Sequence, residues 1–203
     1  MSRSLYIMGW GYVLLCAILL ATWPTAEPAF VPVNDPNGAR FIEAPAPPMP
    51  ASPGAAWFSS VKPFCNPLEV EVHLRQSPPP GGVEGAGFAA ACWAVAGKID
   101  RAKATIDALP AEDRQHAASI VFGIGHPIAD MGDDLSAGPI MELVVEYQPQ
   151  NYMALYHAGM SYHALGRKEL ARRHLIDFLR LYNVNDGWKT NAENVLRQLS
   201  EKR

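Results

Sequence analysis

Apolar residues are spaced along this chain in three different ways, and each spacing predicts a different element. From Leu5 to Trp23 they run for 19 residues without a charge (LYIMGWGYVLLCAILLATW). At about 1.5 Å per helical residue this length matches the hydrocarbon thickness of a bilayer, so the run predicts one membrane-spanning helix over residues 5–23. From Pro24 to about Ala56 no period holds, and proline recurs too often for helix interiors or central strands. This part is expected to be extended. Beyond Asn66 apolar residues return at helical spacing, as with Leu170, Leu175 and Leu179, and glycines mark the breaks. The expected fold class is all-α. A transmembrane helix at 1–23 leads into a Pro-rich extended linker at 24–65 and a helical-hairpin domain at 66–203.

Charge orients the N-terminal helix. Arg3 precedes the span and the first acid, Glu27, follows it, so the positive-inside rule places Met1 in the cytoplasm and the rest outside. The compact layout, an anchor followed by a small helical domain, suggests a bacterial inner membrane. A cleaved signal peptide is the alternative. It requires small residues at −3 and −1, and cleavage after Ala21, Ala26 or Ala29 would put Leu19, Pro24 or Glu27 at −3. A lipoprotein site at Cys16 would follow Leu15 rather than a small residue.

Fourteen of the 18 prolines fall between Pro24 and Pro80. They suit a polyproline spacer, yet Phe30, Phe41, Trp57 and Phe58 are apolar enough to dock on a neighbour. Asn66, Pro67 and Glu69 have the spacing of a helix N-terminus, predicting a helix to about Arg75. Cys65 and Cys92 are the two cysteines beyond the span. In an oxidising compartment they suggest a disulfide, the alternative being two buried thiols.

The second half repeats. A shift of 34 pairs Val121 with Leu155, Gly125 with Gly159, Gly132 with Gly166 and Ala137 with Ala171; a shift of 35 pairs Gly97 with Gly132 and Ala102 with Ala137. The segment ALYHAGMSYHALGRKELARRHLIDFLRLY carries Leu155, Gly159, Tyr162, Gly166, Ala171 and Phe178 at the positions that matter. These positions resemble the tetratricopeptide repeat, in which small residues let two antiparallel helices cross closely. The resemblance implies three copies, at 83–112, 118–151 and 152–185, and a capping helix from Asp186 to Arg203. It further implies a concave groove lined by Phe122, His126 and Asp130 of the second copy and Met153, Tyr156, Met160 and His163 of the third. Pro127 departs from the pattern, as do Gly138 and Pro139, which predict that the second helix of the middle copy starts late, near Pro139.

Chemistry is harder to find. Six histidines are present, but none pairs with another at four-residue spacing beside an acid, and no HExxH occurs. The histidines are expected at the surface or in the groove, and Asp130, Asp133 and Asp134 in an inter-helix turn where an aspartate caps the next helix. There is no nucleophile elbow and no phosphate-binding loop, so no enzyme, cofactor or metal is expected. A net charge of −3 with 18% charged residues excludes a nucleic-acid partner. That balance conceals a net +4 over residues 167–203 against −8 over residues 24–165. The expected function is a membrane-anchored scaffold whose partners are the bilayer, through residues 5–23, and other subunits of a membrane complex. A narrower form is an energy-transducing complex such as a photosynthetic reaction centre with its antenna. The alternative is a periplasmic module that binds peptides or envelope proteins transiently.

Overall fold

The computed structural model describes residues 52–201; the expected membrane helix and most of the linker, with Phe30 and Phe41, lie outside the described residues. Among the described residues there are nine α-helices and no strand. None of these helices is long and apolar enough to cross a membrane.

The helical part starts earlier than the boundary at residue 66. Helix α1 spans Pro53–Val61 and continues into a 3-10 turn, Lys62–Phe64. Pro53 sits in its first turn, where a missing N–H costs nothing, and the Ser52 side chain accepts from Ala55 N at 3.2 Å. No proline interrupts the seven residues after Gly54, which is why this piece of the Pro-rich segment is helical and not extended. Helix α2 spans Val70–Gln76. Asn66 Oδ1 accepts from the backbone N–H groups of Leu68 and Glu69, both at 3.1 Å, and Asn66 Nδ2 donates to Glu69 Oε2 at 2.7 Å. Asn66 therefore closes the turn that precedes the helix and does not cap it: regular α-helix begins only at Val70, with Glu69 at the N-cap and no side-chain bond to it.

Three hairpins and a last helix come next: α3 (Gly82–Val95) with α4 (Ile99–Asp107), α5 (Ala111–Asp130) with α6 (Asp134–Tyr147), α7 (Tyr152–Ala164) with α8 (Lys168–Leu181), then α9 (Gly187–Glu201). Their turns are built alike. Gly97, Gly132 and Gly166 have φ of 72°, 77° and 71°, a conformation costly for any residue with a Cβ. In each turn the N–H after the glycine donates five residues back, Lys98 to Trp93, Asp133 to Ile128 and Arg167 to Tyr162. This is the Schellman closure of a helix C-terminus. Five residues beyond each glycine stands an alanine, Ala102, Ala137 or Ala171, each 0% exposed. Gly159 matters for packing and not for a turn. A Cβ there would lie 2.6 Å from Leu175 Cγ, so α7 and α8 cross as closely as they do only without one.

The middle hairpin departs from expectation in two places. Helix α5 starts at Ala111, directly after Pro110, and not at residue 118. Helix α6 starts at Asp134, and not near Pro139, because Asp133 Oδ1 caps it by accepting from Ser136 N at 3.2 Å. Proline removes one backbone donor; the cap and the burial of Ala137, Gly138 and Ile140 hold the first turns together despite that loss.

The core lies in two clusters. One gathers Phe58, Val70, Cys92, Ile106, Val121, Ile140 and Val144 from the earlier helices, and the other Leu155, Tyr162, Leu175, Phe178, Val195 and Leu199 from α7 to α9. Helix α7 serves both, giving Ala154 and Ala158 to the first and Leu155, Tyr156 and Tyr162 to the second. Cys65 and Cys92 are both buried, with their Sγ atoms at disulfide distance and their Cα atoms 4.9 Å apart, tying the segment between α1 and α2 to α3.

Candidate functional site

Polar chemistry concentrates where the last turn of α5 meets α7. Phe122, His126 and Asp130 succeed one another at intervals of four on α5 and so form one stripe along it. The Phe122 and His126 rings stack at 5.1 Å. On α7 the small residues Ala154 and Ala158 face the earlier helices, and His157 on that side brings its ring edge-on to His126 at 4.8 Å. Asp130 Oδ1 lies 3.8 Å from His126 Nε2 and 3.7 Å from His157 Nε2. Both Nε2 atoms are buried, and among the described residues neither has a hydrogen-bond partner.

An aromatic wall closes the far side. The His157 ring stands edge-on to Tyr156 at 5.6 Å and to Trp188 of α9 at 6.1 Å, while Tyr156 and Trp188 stack at 5.0 Å. Burial pulls the His157 pKa below its ordinary value; His126 pulls the same way and Asp130 opposes. Asp130 itself is 57% exposed, so the cluster opens to solvent on the carboxylate side.

The expected groove is only partly one surface. Phe122, His126 and Asp130 come together. Tyr156 is buried against Phe178 and Trp188 and so is not open to a partner, because α9 folds over it. Met160 packs half-buried beside the second core, and His163 stands half-buried in the last turn of α7. Met153 lies elsewhere, in a surface cleft of about 530 Å³ with Gln115, Gln148, Asn151 and Tyr152. Of the linker residues, Phe58 is buried and stacks on Phe88 of α3 at 5.2 Å, and Trp57 Nε1 donates to Ser77 O at 3.0 Å.

Two histidines expected at the surface or in the groove are core residues. His157 is one. His174 of α8, 3% exposed, stacks on Tyr162 and lies 3.6 Å from Glu142 Oε1 of α6. Tyr162 and Arg173 both donate to the same Glu142 carboxylate. The nearby His174 imidazole, 3.6 Å away, is the main reason that Glu142 is pushed down to about 2; burial opposes, and the hydrogen bond from Tyr162 adds to the lowering. This group locks the second hairpin to the third.

The gathering of His126, Asp130 and His157 runs against the expectation that no metal-ligand set exists. The spacing of His126 and Asp130 was visible along α5, but His157 and Trp188 are brought there by the folding of separate helices, with no local pattern to announce them. No known protein family, curated protein or solved structure matches this chain.

Proposed function

We propose that this protein is a non-enzymatic scaffold. In this reading a tetratricopeptide-type stack of helical hairpins, tethered by residues 5–23, holds subunits of a membrane complex together on the periplasmic side of a bacterial inner membrane. The observation that carries the reading is the thrice-repeated turn, with a left-handed glycine followed five residues later by a fully buried alanine. A fold made of like units in a row offers an extended surface for partners. Met131 and Leu135, 77% and 71% exposed on either side of the Gly132 turn at the tip of the middle hairpin, are apolar side chains of the kind a partner covers. A cysteine pair at bonding distance fits an oxidising compartment.

Extraction of the full chain in mild detergent followed by native electrophoresis tests the scaffold. Comigration with stable partner subunits is expected, and recovery only as a free monomer would sink the idea. Sequencing the N-terminus of the mature protein tests the tether, since a start beyond Trp23 refutes it. The cleft beside Met153, with amide side chains from Gln115 and Gln148, favours a second reading, a module that grips extended peptides transiently. In that case partners would dissociate during native electrophoresis yet be retained by cross-linking.

A further inference from the structure

We propose that His126, Asp130 and His157 form a binding site for a divalent d-block cation of the zinc type, which fastens the second hairpin to the third and keeps one coordination position open. The donor set comes first. Two imidazole nitrogens and one carboxylate oxygen suit zinc, cobalt, nickel or copper, whereas magnesium and calcium require oxygen donors throughout.

The geometry comes next. All three ligand atoms lie within 4.8 Å of one another. A tetrahedral ion with bonds of about 2.0–2.1 Å has ligand-to-ligand edges of about 3.3 Å. The two distances to Asp130 Oδ1, 3.8 and 3.7 Å, exceed that edge by only about half an ångström. The third edge, between the two imidazole nitrogens, is bounded at 4.8 Å, so binding draws the rings together by up to about 1.5 Å there.

The unpartnered nitrogens are the independent observation. A buried polar atom without a hydrogen bond is costly, because it has given up its water without a replacement partner. Here two such atoms, His126 Nε2 and His157 Nε2, both stand beside one carboxylate. A cation between the three satisfies all of them at once. The surroundings are consistent with this: Phe122, Tyr156 and Trp188 hold the imidazole rings from behind, and Asp130 lies at the C-terminal end of α5, where the helix dipole favours positive charge. The half-exposed carboxylate leaves an entrance, and three protein ligands leave a fourth position for water or for a side chain of a partner.

The site does not depend on the scaffold reading, and its test needs no partner. Tag-free full chain, stripped of metal in detergent, is titrated with Zn²⁺ by calorimetry and with Co²⁺ by visible absorption. One ion per chain should bind tighter than about 10 µM, with the intense visible bands of tetrahedral cobalt, and the thermal midpoint should rise with Zn²⁺. Asp130→Asn and His157→Gln should each weaken binding at least about tenfold. His116→Ala, at an exposed histidine of α5, should leave it unchanged. Asp130→Asn alters an exposed carboxylate, so its fold can be verified by circular dichroism even if His157→Gln unfolds. Absence of saturable binding overturns the site, and so does binding that survives Asp130→Asn or shows only the weak bands of octahedral cobalt.

Discussion

At the scale of single residues, Glu142 shows how a charge becomes structural. Its carboxylate is held at about 2, below the ordinary 4.5, by His174 first and then Tyr162. A depressed carboxylate contributes stability that is present above its ordinary pKa and lost as pH falls through the folded one. Urea midpoints of the native chain should therefore drop between about pH 5 and pH 2. In Glu142→Gln that slope should flatten, while stability at pH 7 falls by about 1–3 kcal/mol because Tyr162 and Arg173 lose a charged acceptor. Two glycines make an opposite pair. Gly159→Ala forces a Cβ to 2.6 Å from Leu175 Cγ and 3.3 Å from its backbone nitrogen, and should cost about 1–3 kcal/mol. Gly123→Ala, on the exposed side of α5 with nothing within 4 Å, should stabilise by about 0.5–1 kcal/mol. Denaturant titration of both variants measures the contrast.

Among the elements, α1 and α2 are short and contribute little burial of their own. They depend on α3. Phe58 stacks on Phe88, Val70 and Leu74 join the first core, and Cys65 joins Cys92 across a separation of 27 residues. A closed loop of that length is worth about 3–4 kcal/mol through the entropy of the unfolded chain. Reduction, or the pair Cys65→Ser and Cys92→Ser, should lower stability by that order. Hydrogen exchange should then show protection lost first in α1 and α2, with α5 to α8 little changed. The hairpin turns could be read from Gly97, Gly132 and Gly166, because a left-handed residue at a helix C-terminus leaves a glycine at fixed period. The start of α6 could not, since Pro139 suggests a helix end while the cap at Asp133 and the burial around Gly138 prevail.

For the whole molecule, the two cores meet through α7, and α9 closes the second. Ala192, Val195 and Leu199 of α9 are buried in that cluster, and Trp188 stacks on Tyr156. In a row of like units, stability is a sum of units and nearest-neighbour interfaces, so an end piece matters most to its neighbour. Truncation after Asn185 should expose Tyr156 and Phe178. Hydrogen exchange should then show α7 and α8 deprotected while α3 and α4 remain protected, and a uniform loss along the chain would contradict this division.

The sequence by itself determined the features that local rules govern: an all-helical body, the turns at period 34 and 35, and a cysteine pair able to bond. These depend on backbone conformation and spacing within one or two turns. Only the tertiary structure decided which faces meet. It put His157 beside His126 and Asp130, buried His174 on Glu142, covered Tyr156 with Trp188 and made a helix of Pro53–Val61. Such pairings depend on the angle and distance at which separate helices pack, which the apolar pattern of each helix alone does not contain.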